Sequence, residues 1–314
     1  MVKDISLVSI LMPAYNAGEY IKEAIQCILN QTYPNWELLI ADDASTDNTN
    51  EIIKKYALKD SRIKCFQNET NIGYLKTWNK LIEIAEGNFI TFLDADDLCT
   101  SDRINILYSF LAENPDIKIV GSNVNLLSDK GKPIGTKEYP VSTEIINENL
   151  LSSGFSFCGS AVMIRKEVYQ KVGGYREYFD RLGWEDHDWL IRCCTIFKAS
   201  NIAKYLYSYR NTPDSVTRSI QLQDYKKLII KKIGLELGKQ RLQTGTDYLE
   251  EGDFAKLNEI EKKYLKPFED NPALVYLKLS AMASTKKIKK NYLFNAIKTK
   301  PFQLRAYYYL LKAL

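Results

Sequence analysis

Apolar positions come in short blocks through the first two thirds of the chain, and the spacing inside each block alternates between two periods. Leu7 to Met12 is a run closed by Pro13, short enough for a buried strand. Ile21, Ala24, Ile25, Ile28 and Leu29 then fall at i, i+3, i+4, i+7 and i+8, one face of a helix. Trp36 to Ala41 is a second strand that runs into Asp42-Asp43. Ser45-Thr46-Asp47-Asn48 supplies a turn and cap, and Ile52, Ile53, Tyr56 and Ala57 form the next inward stripe. Ile63 to Gln67 is a third strand. After Asn71-Ile72-Gly73, a helix carries Trp78, Leu81, Ile82 and Ala85 on one side. Glu86-Gly87-Asn88 ends it and leads into Phe89-Ile90-Thr91-Phe92-Leu93.

Strands alternating with helices of this length predict βαβ units and an α/β fold on a mostly parallel sheet flanked by helices. The strand ends at Pro13, Asp42 and Asp94 then open on one edge, where open α/β sheets bind ligands. No GxGxxG and no GxxxxGK[ST] follows any strand, so phosphate recognition would need another device. Further on, Ile104, Leu107 and Leu111 mark a helix, Ile117 to Val124 a strand and Ser128 to Gly131 a hairpin turn. Thr136 to Asn149 is polar and irregular. Ala161 to Ile164 reads as a strand, Lys166 to Val172 as a helix, Tyr175 to Gly183 as a loop, Trp184 to Cys194 as a helix and Tyr205 to Arg210 as the last strand. From Leu222 the pattern turns Lys/Leu/Glu-rich and helical, with Gly245 and Pro267 as breaks. This places a main domain at 1–219 and a basic helical appendage at 220–314.

Chemistry concentrates where the Phe89 strand ends, in Asp94-Ala95-Asp96-Asp97. Like charges packed this closely repel, and a hard divalent cation with oxygen ligands relieves them. Asp-X-Asp at a strand end therefore predicts a metal site, which in turn suggests a phosphate-bearing substrate. Taken alone, the same residues also read as a solvated acidic turn before a helix at Ser101.

Composition narrows the classes. Hydrophobic residues make up 45% and charged ones 26% of the 314, ordinary for a soluble globular protein. Six cysteines without a CxxC pair read as reduced core thiols, and the single histidine, His187, excludes a multi-histidine metal centre. No apolar run is long enough for a membrane helix, and no secretory leader is evident, so a cytoplasmic protein is expected. The net charge of +4 hides an asymmetry: from Ile220 onward 19 basic residues face 10 acidic ones, which leaves the remainder at −5. From Tyr276 onward there are nine basic residues and no acidic one. Such a tail, with Tyr307-Tyr308-Tyr309-Leu310-Leu311, reads either as an interfacial helix on the inner face of the membrane or as a packed appendage with solvated lysines. The acidic body argues against nucleic acid.

In order, the chain carries Val8-Ser9-Ile10-Leu11-Met12-Pro13-Ala14-Tyr15-Asn16, then Ala41-Asp42-Asp43-Ala44-Ser45-Thr46-Asp47. Asn71-Ile72-Gly73, Phe92-Leu93-Asp94-Ala95-Asp96-Asp97 and Trp184-Glu185-Asp186 follow. This series resembles the family-2 inverting glycosyltransferases of GT-A (Rossmann-like) fold, of the kind that builds bacterial surface polysaccharide, over Leu7 to Ser219. The resemblance implies transfer of a sugar from a nucleotide-sugar donor, by family habit a UDP-sugar, to a saccharide or lipid-linked saccharide. Pro13, Ala14 and Tyr15 would line the base, Asp42 would accept from base or ribose, and Asn71 would join the donor site. Asp94-Ala95-Asp96 would hold Mg²⁺ or Mn²⁺ at the diphosphate, with Asp96 as the direct ligand and Asp94 toward ribose or metal. Asp186 would be the catalytic base, Glu185 would orient it or touch the sugar, and Trp184 would pack on the acceptor. An attacking hydroxyl of high pKa needs such a carboxylate, and a single base opposite the leaving group gives inversion.

Each residue also has a plainer reading: Asp42-Asp43 as a helix cap, Glu185 and Asp186 as acids favoured at a helix start, Tyr15 as a turn aromatic. The chain departs from the family in two places. Thr77-Trp78-Asn79 stands where relatives carry Ala-Arg-Asn, leaving Lys76 as the available cation, and Tyr209-Arg210-Asn211-Thr212 lacks a histidine at its end. A non-catalytic nucleotide-sugar-binding adaptor is the rival outside enzymology.

Overall fold

The computed structural model describes residues 5–152, 156–212, 225–283 and 285–313. The expected boundary at Ser219 lies outside the described residues, as do Gly154 and Phe155. Contacts divide the chain into two compact units, Met1–Arg181 with Glu185–Thr212, and Leu182–Trp184 with Pro213–Leu314.

The first unit is organised on one nine-stranded sheet. Its parallel half comprises β1 (Val8–Ala14), β2 (Trp36–Asp42), β3 (Ile63–Gln67) and β4 (Phe89–Phe92), in the order β3-β2-β1-β4. Every residue of β1, β2 and β4 is buried, as expected of strands covered on both faces. The crossovers are α1 (Ile21–Leu29), α2 (Thr49–Ala57) and α3 (Tyr74–Ile84). Ile21, Ala24, Ile25 and Ile28 of α1, and Leu75, Trp78, Leu81 and Ile82 of α3, point inward on the stripes the spacing predicts. β1 runs through Pro13 instead of ending before it. Pairing with β4 has stopped at Leu11↔Phe92 by then, so on that side the missing N–H costs no ladder bond. Gly87 has to be glycine: a Cβ there would sit 2.6 Å from the Ser9 nitrogen.

Beyond β4 the sheet is mixed, where the periodicity suggested a mostly parallel one. Strands β5 (Leu98–Cys99), β6 (Ile117–Ser128), β7 (Pro133–Lys137), β8 (Met163–Arg165) and β9 (Lys198–Asn211) continue it as β4-β8-β6-β9-β5, with β7 on β6. Only β6 and β9 pair in parallel there; the other four pairings are antiparallel. The reason is local: β7 returns through the Ser128–Gly131 hairpin, and β8 is too short to specify its neighbour by pattern. The remaining helices of this unit are α4 (Arg103–Glu113), α5 (Thr143–Ser152), α6 (Lys166–Val172) and α7 (Glu185–Cys194). α5 begins inside the stretch that reads as irregular in sequence and runs past its end; the pattern hides it because only Ile146 and Leu150 of it are buried. Of the six cysteines Cys193 and Cys194 are core residues, whereas Cys65 is exposed.

The second unit holds α8 (Tyr225–Thr244), α9 (Phe254–Asp270), α10 (Ala273–Met282), α11 (Lys286–Thr299) and α12 (Leu304–Ala313). Asp253 and Thr285 cap α9 and α11 by accepting from the N–H groups of Lys256 and Ile288. Pro267 does not break α9, which continues to Asp270, since only the last turn lies beyond the proline. Among the described residues no helix is long and apolar enough to cross a membrane.

Candidate active site

Parallel register brings the ends of β1 and β2 side by side, with Ala14 opposite Asp42. The loops that follow are bonded to each other. Asn16 adopts φ 48 and accepts from the Thr46 N–H at 2.8 Å, while its own N–H donates to Ser45 Oγ at 2.9 Å. Ala17 and Gly18 donate to Thr49 Oγ1 and Asp47 Oδ2. Pro13 and Ala14 are buried beneath this edge and Tyr15 stands 51% exposed on it. Asp42 is fully buried and accepts from the Ser45 N–H and, at 2.8 Å, from Asn50 Nδ2. Its neighbour Asp43 has a different task. Asp43 accepts from Asn68 Nδ2 and from the N–H groups of Ile72 and Gly73 at 2.8–2.9 Å, and so fixes the turn before α3. Asn71 in that turn holds Arg181, whose Nη2 donates to the Asn71 carbonyl and Oδ1.

The Asp94–Asp97 turn divides its carboxylates between two roles. Asp97 is buried against β9, accepting from the Arg210 N–H at 2.6 Å and from the Tyr207 hydroxyl at 2.7 Å. Burial, then Asp94 and Asp96, push its carboxyl well up. Asp97 therefore belongs to the frame, and Asp94 and Asp96 remain for ligand chemistry. Asp94 accepts from Tyr74 Oη at 3.2 Å and from Ser160 Oγ at 2.6 Å. Desolvation and the neighbouring Asp96 raise it to about 6. Asp96 is also raised, by desolvation, and accepts from Thr212 Oγ1 at 3.3 Å, while its carbonyl accepts from Arg210 Nε at 2.7 Å. Ala95 is buried between them.

Glu185 and Asp186 open α7, where the helix dipole favours acids. They separate sharply in basicity. Burial, then the charge of Asp186, push Glu185 up to about 8. Burial works against Asp186 too, but the His187 ring and backbone N–H, at 2.9 and 2.7 Å from its Oδ1, hold it below the usual carboxylate range. The first member of the pair is thus a neutral acid near pH 7 and the second an ionised base. Asp188, two residues on, is structural: it is buried and bonded by Arg176 and Arg192.

One ring links the two acidic groups. Burial raises the Tyr74 hydroxyl far above its ordinary value, and after it act Asp94, Tyr175, Glu185 and Asp186. Tyr74 thus senses carboxylates from β4 and from α7 at once. The short 3₁₀ turn Gly159–Ala161 makes a second link. A Cβ at Gly159 would lie 2.4 Å from Asp186 Oδ2, and Ser160 bonds Asp94. Tyr74, Gly159, Ser160 and Thr212 escape a reading of the sequence because each is a common residue in a loop or helix start. Only Thr212 carried a signal, as the residue standing in place of a histidine.

At the first departure from the family pattern, Trp78 is a core residue: it is fully buried and stacks on Tyr175, ring centroids 3.9 Å apart. Lys76 faces Asp180 at 3.9 Å. Trp184, at φ 76, groups with the second unit.

The model of the Glycosyl transferase family 2 domain matches residues 9–173, just over half of the chain. The chain belongs to glycosyl transferase family 2. Among relatives of this glycosyltransferase, EpsE of Bacillus subtilis is 32% identical over 213 residues, 67% of this chain and 75% of that one. The Escherichia coli UDP-Glc:alpha-D-GlcNAc-diphosphoundecaprenol beta-1,3-glucosyltransferase WfgD is 40% identical over 123 residues, 39% of this chain and 47% of its own. In fold the transferase matches S. aureus TarS in complex with UDP-GlcNAc, at TM-score 0.60 and 19% identity over 93% of this chain and 81% of that one. It also matches the Pyrobaculum calidifontis mannosyltransferase PcManGT in complex with GDP-Man and Mn²⁺, at TM-score 0.54 and 16% identity over 98% and 85%. The GT-A expectation is met.

Two neighbouring carboxylates, both raised by desolvation and one of them with a single weak side-chain hydroxyl contact, are a donor set that suits a hard divalent cation. Among the described residues no third His, Cys, Asp or Glu completes such a site, so further ligands would come from a bound diphosphate and water.

Proposed function

We propose that this enzyme transfers a sugar, with inversion, from a UDP-sugar to a saccharide or lipid-linked saccharide in the synthesis of cell-surface polysaccharide. The observation that carries the reading is the meeting of the two acidic groups at one turn: Ser160 bonds Asp94, which Tyr74 also bonds, and Gly159 lies against Asp186. Asp186, ionised at neutral pH, takes the proton of the acceptor hydroxyl as that oxygen attacks the anomeric carbon. The bond from that carbon to the diphosphate breaks on the opposite face, and the single displacement inverts the centre. Glu185, neutral at the same pH, donates a hydrogen bond to the sugar or orients the base. Pro13, Ala14 and Tyr15 line the base, Tyr15 as the exposed stacking face, and Asp42 and Asn71 complete the donor side. Asp96, with Asp94, would hold Mg²⁺ or Mn²⁺, which when bound supplies an electrophile for the charge developing on the departing diphosphate.

The UDP assignment is supported by the names of two similar proteins, WfgD and the TarS complex; the diphosphoundecaprenol in the WfgD name supports a lipid-linked acceptor. A cytoplasmic enzyme touching the membrane through its basic C-terminal helices suits such an acceptor, and exposed Phe302, Leu304, Tyr308 and Leu311 offer the apolar contact. The domain division follows the same logic, with sugar transfer in 1–219 and the helical region 220–314 as an accessory.

The test is a thermal-shift panel of UDP, GDP, dTDP and their sugars, with and without Mn²⁺, on the wild type and Asp96→Ala. A ligand bound only by the native state raises its apparent stability. The expected result is a UDP shift that depends on Mn²⁺ and is lost in Asp96→Ala. A GDP or dTDP preference overturns the donor assignment, and no shift with any nucleotide overturns the donor site itself. A nucleotide-sugar that binds but is never turned over would favour the adaptor.

A further inference from the structure

The helical unit contains a cavity of about 420 Å³ that sugar transfer does not use. Phe268 of α9 with Leu274 and Leu277 of α10 give it an apolar lining. Four cations surround that lining, one from each of four helices: Lys232 (α8), Lys278 (α10), Lys289 (α11) and Arg305 (α12). No acidic side chain lines the cavity. Among the described residues none of the four cations pairs with a carboxylate, although Lys226 of α8 does, with Glu261.

Lys278 donates to the Leu228 carbonyl and lies over the Phe268 ring at 5.9 Å. Burial, then repulsion from Lys232 and Lys231, hold its pKa below the ordinary lysine value. Cations gathered on a concave surface without a counter-charge create a field that attracts an anion. A single carboxylate would satisfy at most two of them. A phosphate offers three acceptor oxygens and more than one charge, and it suits both the fork of Arg305 and the point charges of the lysines. The apolar wall calls for a second feature, a hydrocarbon chain, and the volume falls within the ~300–1,000 Å³ of small-molecule sites.

We propose that this cavity binds a phosphate or diphosphate monoester of a long apolar alcohol, the head among Lys232, Lys278, Lys289 and Arg305 and the chain along Phe268, Leu274 and Leu277. The site is independent of the donor reading, and its test leaves the nucleotide out.

Calorimetric titration of the full chain with dodecyl phosphate, kept below its micelle concentration, decides the matter. Saturable one-to-one binding is expected, with inorganic phosphate and the neutral-headed dodecyl maltoside both much weaker. Lys278→Gln with Lys289→Gln should weaken binding about a hundredfold, roughly tenfold for each charged hydrogen bond removed. Should that double variant fold poorly by circular dichroism, Arg305→Gln, at an exposed position, should still weaken binding about tenfold. Asp96→Ala should bind like the wild type, so failure of the nucleotide site would not pass for failure of this one. Competition by phosphatidic acid vesicles would identify the source as a membrane lipid, and binding without competition a soluble phosphoester; either supports the site. Equal binding of dodecyl maltoside, equal binding of inorganic phosphate, or charge variants of wild-type affinity would each overturn it.

Discussion

Asp94 and Asp96 at the end of β4, and the four cations of the helical unit, are opposite in sign but alike in one respect. Each set brings like charges together and, among the described residues, none of them is closed by an ion pair. Asp97 and Asp188 show the contrary arrangement with the same residue type. Asp97 is saturated by Tyr207 and the Arg210 N–H, and Asp188 by Arg176 and Arg192. The difference teaches where to look for ligands. A charge with its partners supplied by the fold holds the fold, and a charge set whose partners are missing awaits something from outside.

That contrast is sharpest between neighbours on one helix. Asp186→Asn should lower kcat by about 10²–10⁴-fold, the usual weight of a positioned base, while the UDP-induced thermal shift and the melting temperature stay close to wild type. Asp188→Ala should do the reverse, costing ~3–5 kcal/mol of stability by stranding the buried Arg192 and the half-buried Arg176, as denaturant unfolding would measure. If Asp186→Asn unfolds the protein, or Asp188→Ala leaves stability untouched, the division of labour along α7 is wrong.

A smaller effect is expected at Ser160. Its hydroxyl lowers the Asp94 carboxyl, so Ser160→Ala should carry that group above about 6. The acid limb of the pH–rate profile should then move upward, with a loss of about tenfold near neutrality from one charged hydrogen bond. A rate loss with an unmoved limb would make Ser160 a packing residue only. A dependence of stability on pH is expected of Glu185, whose folded-state value of about 8 lies above that of an unfolded glutamate. Such a raised acid adds stability below its unfolded value, and the contribution fades as pH climbs to the folded one. From pH 5 to 8 the wild type should therefore lose melting temperature relative to Glu185→Gln. Parallel curves for the two proteins would contradict the neutral acid.

Much of this was legible in the chain. Buried stripes such as Ile21–Ile28 and Leu75–Ile82 are periodic, and periodicity survives folding because a helix or strand must present one face to the core. The strand-end carboxylates were legible for a related reason, since the topology alone brings the ends of parallel strands to one edge. The rest depends on contacts across long separations. Nothing near Ser160 in sequence points to Asp94, sixty-six residues away, and nothing in Asp97 distinguishes it from Asp96 until β9 arrives beside it. The mixed half of the sheet was hidden for want of length in β5 and β8, two and three residues that no pattern can orient.

The 3₁₀ turn at Gly159–Ala161 has a consequence for how this enzyme can vary. One of its residues lies against Asp186 and the next bonds Asp94, so these two carboxylates, from separate elements, are gauged from a common datum. A displacement of the turn would shift both together and preserve their spacing, whereas a side chain added at Gly159 would move one against the other. The turn itself thus keeps the calibration between the two carboxylates.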